Sequence, residues 1–175
     1  MANLSNLYVA AGSLVTFGGV DLGHTVDGAE IEFGREFTEV TTDLYGKTPV
    51  DYVLQGQKAS IKLKLAEITP GVLSYLVPEG DYDVGSSSQQ LHFGTKAGFS
   101  LRGVSLQLVI TPQANNVDGR RTITFFKAVS TEPVSVSYKI DEQSVFEVTF
   151  TALVDESRNA TDGRLLGRFG PAAIS

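Results

Sequence analysis

Apolar and polar side chains alternate along most of the chain, a pattern typical of strands that bury one face. In the segment Ala59–Leu65, Ile61, Leu63 and Leu65 share one face, and the residues between them are polar. The segment VFEVTF has the same period of two. The alternation predicts eight strands, at Leu7–Ala11, Ser13–Phe17, Ala29–Thr41, Ala59–Leu65, Gly103–Thr111, Arg121–Ser130, Val134–Ile140 and Val145–Val154.

The segment Thr42–Lys58 separates two of these strands and is predicted to form a long loop. Loops of this length in a compact domain are usually functional or disordered. This one carries several apolar side chains, namely Leu44, Tyr45, Tyr52, Val53 and Leu54. We therefore expect the loop to be ordered by packing, and a second copy of the protein is a natural partner.

One helix is predicted, at residues 69–77. Thr69 is a good N-cap and Pro70 suits the first helical position. An apolar stripe of Val72, Leu73 and Leu76 follows. The polar stretch Asp81–Gln90 is expected to be a surface loop.

The chain of 175 residues fits a single domain, 1–175. The predicted fold is mainly β, a β-sandwich or open barrel of two packed sheets with one covering α-helix. Residues 1–18 are expected to form an N-terminal arm or hairpin. Residues 155–175 are polar and arginine-bearing, and they are expected to form an extended C-terminal arm or a frayed end.

The amino-acid composition narrows the range of possible functions. The chain has no cysteine, which leaves no disulfide, thiolate nucleophile or zinc-thiolate site. The N-terminal region has no basic and apolar segments of a signal peptide, and no apolar run has the length of a membrane-spanning helix. We expect a protein made in a cytoplasm, or packaged from one, without a membrane partner.

Negative charge is concentrated in one segment. Between Asp21 and Asp43 there are seven acidic residues and one basic residue, Arg35, so this segment has a net charge of −6, equal to that of the whole chain. Ordinary DNA binding needs clustered lysine and arginine that displace counterions. The charge distribution argues against a protein that grips nucleic acid, although a wall that repels phosphate is compatible with it.

The search for catalytic chemistry returns little. His24 and His92 lack partners at metal-ligand spacing, and a triad with Ser13 and Asp27 would need geometric support. Glu30, Glu32 and Glu36 are better interpreted as a solvated strand face than as paired catalytic carboxylates or a calcium site. We expect no enzyme activity, no cofactor, and no catalytic or metal-ligating residues.

The order of segments resembles a known family. An acidic strand, EIEFGREFTEV, is followed by the loop TTDLYGKTPVDYVLQGQK, the strand ASIKLKLAEI and the helix TPGVLSYLV. The late strands ITFFKAV and SVFEVTFTAL continue the pattern. From about Leu7 to Val154, the chain is similar to bacteriophage tail tube proteins (major tail proteins), which are related to the tube proteins of type VI secretion systems.

The resemblance implies a structural virion protein. Members of that family form hexameric rings that stack into the hollow tail tube through which DNA reaches the host. The long loop would then contact the next ring, and the candidate anchors are Leu44, Tyr45, Tyr52 and Leu54. The candidate lumen face consists of Glu30, Glu32, Glu36 and Thr38. The candidate arm contacts with a neighbouring acidic segment are Arg158, Arg164 and Arg168.

The implied partners are further copies of the chain and other tail proteins, namely the tape measure, baseplate and terminator proteins. DNA would pass transiently without specific binding, and the protein would reside in the virion tail after assembly in the host bacterial cytoplasm. Two alternatives remain open at this point. One is a tail terminator, baseplate or secretion-system tube subunit, and the other is a monomeric β-sandwich binding module.

Overall fold

The computed structural model describes residues 12–67, 69–85, 88–94, 96–114, 119–137, 140 and 144–171. Within this part the chain is mainly β, with two sheets and a single α-helix, α1, at Pro70–Leu76. The strands are β1 Ser13–Phe17, β2 Val20–Thr41, β3 Pro49–Leu65, β4 Asp81–Val84, β5 Gln89–His92, β6 Leu106–Pro112, β7 Ile123–Ser130, β8 Ser135–Ser137, β9 Val145–Leu153 and β10 Gly167–Phe169.

Six strands close into an antiparallel barrel. The large sheet runs β7, β6, β1, β2, β3 and β9, and β9 pairs again with β7, where Ser130 lies opposite Phe150. β10 extends the wall along the first half of β7, and β8 lies on the outer side of β9. The short strands β4 and β5 form a separate hairpin next to α1. The predicted mainly β fold of two sheets with one helix is confirmed.

The barrel interior is filled by the apolar positions that the alternation predicts. Ile61, Leu63 and Leu65 of β3 are buried, and Phe150 of β9 packs against Phe17 with ring centroids 5.0 Å apart. Fully burying one such side chain contributes about 1.5–3 kcal/mol relative to exposure. All six strands of the barrel contribute buried side chains to this core.

Helix α1 begins as predicted. The Thr69 side-chain oxygen accepts a hydrogen bond from the Val72 amide at 3.2 Å, and Pro70 is the first helical residue. Val72 and Leu76 are buried against the barrel. Among the described residues, α1 included, no helix is long and apolar enough to cross a membrane.

Several predicted strand boundaries differ from the structure. The strand predicted at Gly103–Thr111 begins later, because Leu101–Val104 forms a 3-10 turn. Within Val134–Ile140 the described strand covers only Ser135–Ser137. The predicted surface loop at Asp81–Gln90 is wrong, since both of its ends belong to the β4–β5 hairpin. The strand predicted at Leu7–Ala11 lies outside the described residues.

The prediction of an extended or frayed C-terminal arm is wrong as far as Pro171. After β9 the chain turns back through a 3-10 turn at Ala160–Asp162, and β10 pairs with β7, where Gly167 lies opposite Phe125. A buried carboxylate, that of Asp155, anchors the return. Local polarity indicated an arm, but it could not reveal that β10 pairs with the edge of β7.

Candidate interaction surface on the protruding hairpin

The predicted long loop at Thr42–Lys58 is mostly strand. β2 continues to Thr41 and β3 begins at Pro49, so only Thr42–Thr48 remain as the turn, which we call the tip. Val50, Tyr52 and Leu54 recur at a spacing of two, which is the strand period. Val53, which is also apolar and lies between Tyr52 and Leu54, masked that period.

The outer half of β2 and β3 extends beyond the barrel as a two-stranded ribbon, which we define as residues 33–41 paired with 49–59. β3 pairs with β9 only over Ser60–Leu65, and β2 pairs with β1 only up to His24. Within the described part of the chain, no third strand covers the ribbon. At roughly 3.4 Å per residue, the ribbon projects about 30 Å.

One side of the ribbon carries four apolar side chains open to solvent, with Arg35 and Glu39 between them. Opposite residues of an antiparallel pair share a face, and in this register Phe37 lies opposite Leu54. The aromatic face, as we call it, consists of Phe33, Phe37, Tyr52 and Leu54. All four are exposed, and Phe33 has 67% of its surface accessible. The face continues the core side of β2, where Ile31 still packs against the barrel interior.

The tip presents two further apolar side chains. Leu44 is 82% exposed and Tyr45 is 60% exposed. The turn is held by backbone hydrogen bonds from the Tyr45 amide to the Thr42 carbonyl at 3.1 Å, and from the Thr48 amide to the Tyr45 carbonyl at 3.3 Å. Gly46 has a φ of 62°, which glycine adopts without steric cost.

The four candidate lumen residues share the opposite side of the ribbon and its base. Glu30, Glu32, Glu36 and Thr38 alternate along β2 and are all exposed. In the register, Glu30 lies opposite Lys62, and the Lys58 ammonium lies 2.6 Å from a Glu36 carboxylate oxygen. We call this side the charged face.

Hydrogen bonding between Lys58 and Glu36, reinforced by their opposite charges, lowers the pKa of Glu36 and raises the pKa of Lys58. Lys64 lies 3.0 Å from Asp27 and 3.9 Å from Glu147, and hydrogen bonding to Asp27 is the main cause of its raised pKa. The charged face is therefore mixed in sign, since lysines of β3 lie among the glutamates of β2.

A groove of about 640 Å³ lies at the base of the ribbon. One wall is the outer edge of β3 at Leu54–Ala59, and the other is β10 with Leu165 and Leu166 before it. Ile123 and Phe125 of β7 form the floor. The charged residues that line the groove are all basic, namely Arg35, Lys58 and Arg168.

The candidate arm residues have different surroundings. The Arg158 guanidinium lies 3.4 Å above the ring of Phe126 and donates from Nε to Asp155 at 3.1 Å. The Arg168 guanidinium is 5.9 Å from the same ring. Arg164 is exposed. Arg158 and Arg168 are thus held against the chain's own barrel, and a role for the three arginines in contacting a neighbour stays a prediction.

The histidines do not meet at one place. His92 Nε2 lies 3.5 Å from an Asp83 carboxylate oxygen across the β4–β5 hairpin, where both side chains are exposed. His24 lies opposite Leu14 near the start of β2. In the ranges that the structure describes, no group of three or more His, Cys, Asp or Glu residues could hold a metal ion.

Sequence reasoning missed two residues of the interaction surface. Phe33 and Phe37 continue the alternation from Ile31, and this pattern predicts that they lie on the buried side of their strand. The alternation correctly gives their face, but it does not reveal that the barrel ends before Phe33. The missed signal was the strand period in Val50–Leu54, which would have shown that β2 and β3 continue together.

Comparisons with known proteins give a likeness in structure but none in sequence. No family model matches the chain, and no curated protein sequence matches it. Among solved structures, a chain described as "Virion of native gene transfer agent (GTA) particle" has 10% sequence identity and a TM-score of 0.49, over 85% of this chain and 96% of that chain. A likeness of this size carries no conclusion about what the present chain does.

Proposed function

We propose that this protein is a non-enzymatic structural subunit of a phage-like virion, which assembles into stacked hexameric rings that form the tail tube. The observation that carries the proposal is the ribbon, which projects about 30 Å beyond the barrel with its aromatic face exposed. An isolated two-stranded hairpin is at best marginally stable in water. A partner that covers the aromatic face would stabilise it.

Free strand edges support the same proposal. The outer edge of β3 beyond Ser60 and the corresponding edge of β2 present main-chain groups that could pair with another chain. A head-to-tail contact repeated around an axis closes into a ring, in which each subunit covers its neighbour's edge. In this arrangement the ribbon would serve in contacts between rings, with Leu44, Tyr45, Tyr52 and Leu54 as anchors.

The charged face is proposed to line the bore. Glu30, Glu32, Glu36 and Thr38 would face the lumen, and the lysines of β3 would lie beside them. Because Lys58 and Lys64 are within 4 Å of carboxylates, they have less charge available for binding phosphate than isolated lysines. Such a wall would let DNA pass without retaining it.

The test is negative-stain electron microscopy of the purified protein over a range of concentrations, combined with sedimentation velocity. Hollow rings and tubes with sixfold end views are the expected result. Rings that never stack would indicate that the protein is a terminator-type subunit and not a tube subunit. A protein that stays monomeric, even when mixed with seeds of preformed tail tips, would overturn the proposal and favour a monomeric binding module.

A further inference from the structure

The tip and the groove have complementary chemistry. The tip carries Leu44 and Tyr45 in solvent, and the groove is lined by apolar side chains that include Leu54, Leu166 and Phe169. Apolar surface on both sides favours association, because burial removes it from water. Exposed apolar surface of this extent on a soluble protein usually marks an interaction site.

Charge strengthens the match. From Glu39 to Asp51 the ribbon end carries three acidic residues and one basic residue, Lys47, which gives a net charge of −2. The charged residues that line the groove are all basic, and one of them, Lys58, is already paired with Glu36. Opposite potentials on two surfaces speed their association and fix their register.

The tip cannot reach the groove of its own chain. Gly56 lies opposite Glu36 in the ribbon, so the groove is at the ribbon base. At roughly 3.4 Å per residue, the tip is about 25 Å further out. An antiparallel ribbon that keeps its strand pairing does not fold back over that distance, so a tip that occupies the groove belongs to another copy.

From these observations we propose that the groove between β3 and β10 receives the hairpin tip of a second copy of this chain. The inference rests on the proposed function, because it assigns the receiving surface for the contact between rings. Leu44 and Tyr45 of the incoming tip occupy the apolar part of the groove, and Asp43 lies near Arg35 or Arg168. Each subunit donates one tip and receives another, so the contact repeats along an axis.

Disulfide cross-linking tests this contact directly, because the chain has no cysteine of its own. Leu44→Cys and Phe169→Cys are made as separate single-cysteine proteins, mixed, assembled and oxidised. Phe169 lines the groove and is itself exposed, so its replacement leaves the core intact. The matched control replaces Phe169→Cys by Val84→Cys, an equally exposed position on the β4–β5 hairpin.

Linked peptides are quantified by mass spectrometry. The Leu44–Phe169 pair is expected to give at least about tenfold more heterodisulfide than the Leu44–Val84 pair, because docked neighbours have an effective concentration in the millimolar range. Equal yields from the two pairs in assemblies that electron microscopy shows to be tubes would overturn the groove contact and leave the tube proposal standing. Absence of both tubes and cross-links would overturn both proposals.

A charge exchange provides a second test. Arg35→Glu is expected to reduce the cross-link between the tip and the groove several-fold, and adding Asp43→Arg to the same chain is expected to restore most of it. Circular dichroism of each variant verifies the fold. A well-folded Arg35→Glu variant with undiminished cross-linking would contradict the electrostatic part of the contact, and cross-linked dimers without rings would support the contact while excluding the tube.

Discussion

Phe33 on β2 and Phe150 on β9 are the same residue type in one sheet, yet their surroundings differ completely. Phe150 is fully buried and packs against Phe17, whereas Phe33 lies where the ribbon leaves the barrel and is mostly exposed. The free energy of unfolding of the monomer depends on burial. Association between copies depends instead on what the folded monomer leaves exposed.

Phe150→Ala is expected to lower the free energy of unfolding by about 3–5 kcal/mol, because it removes a buried ring and leaves a cavity. Phe33→Ala is the matched control, with an expected change within about 0.5 kcal/mol. Urea unfolding of the unassembled protein, followed by circular dichroism, measures both. A large loss of stability in Phe33→Ala would mean that the aromatic face supports the monomer and is not reserved for a partner.

The Asp155 carboxylate is the buried acid that fixes the C-terminal segment. It accepts hydrogen bonds from the Ser157 hydroxyl at 2.8 Å and from Arg158 Nε at 3.1 Å, and the Lys127 ammonium lies 3.6 Å away. Hydrogen bonding from Ser157 is the largest cause that lowers the pKa of Asp155 below its usual 3.8; the charge of Lys127 and the hydrogen bond from Arg158 add to it, and burial opposes it.

A lowered pKa in the folded state stabilises the protein above pH 3.8, and this stabilisation is lost as the pH falls through the folded-state pKa. Asp155→Asn is therefore expected to reduce the urea midpoint at pH 7, and the difference from the wild type should shrink as the pH falls below 3.8. Ser157→Ala should show a smaller loss with the same pH dependence. A difference between Asp155→Asn and the wild type that is independent of pH would contradict the assigned cause.

At the scale of elements, the ribbon is the feature that separates folding from assembly. β3 belongs to the barrel wall from Ser60 to Leu65, where β9 pairs with it, and to the ribbon before Ser60. The bulge at Gln55, where the register shifts between Glu36 and Phe37, increases the local twist of the outer ribbon. The barrel can therefore remain folded when the outer ribbon is changed.

Replacing residues 37–55 by Asn-Gly joins Glu36 to Gly56, which lie opposite each other, through a two-residue turn suited to a hairpin. The shortened protein is expected to remain a folded monomer with a cooperative unfolding transition, and to form no tubes. Sedimentation velocity and electron microscopy provide the measurement. The double variant Leu44→Ser with Tyr45→Ser, which keeps the ribbon length, is the control that separates the tip from the aromatic face.

If the shortened protein formed tubes of normal length and number, the proposal that the ribbon makes the contact between rings would be refuted. Failure of the shortened protein to fold would place part of the ribbon within the folding unit. A folded shortened protein that still forms single rings would assign the ribbon to stacking alone.

At the scale of the whole molecule, the net charge of −6 and the mixed charged face bear on the proposed bore. Glu30→Lys with Glu32→Lys converts two acidic positions of the charged face into basic ones. Tubes of this variant are expected to retain duplex DNA in a co-sedimentation assay at low salt, whereas wild-type tubes should not. Retention should fall as salt is raised, because phosphate contacts release counterions.

Asp81→Lys with Asp83→Lys, which adds the same charge at two exposed positions of β4 outside the ribbon, is the control for nonspecific attraction. Equal DNA retention by the two variants would refute the assignment of Glu30 and Glu32 to the bore. Intact tubes that retain no DNA with either variant would contradict the view that the wall charge governs retention.

The sequence by itself determined the β character of the chain, the strands that form the core and the start of the helix. These features depend on local physics, since period-two alternation fixes which side chains share a face and Thr69 with Pro70 favours a helix start. Ile61, Leu63 and Leu65 were correctly assigned to the core for that reason. Part of each of the six barrel strands could likewise be located, although β2 begins at Val20 and β3 at Pro49, each well before the predicted start.

Only the tertiary structure decided where the barrel ends and what lies outside it. The same alternation carries Ile31 against the core and Phe33 into solvent, because exposure depends on whether β9 still pairs with β3 at that level. The return of the C-terminal segment onto Phe126, and the groove between β3 and β10, depend on strands that are distant in sequence. Local sequence pattern cannot determine such long-range pairing, so the interaction surface could be identified only from the tertiary structure.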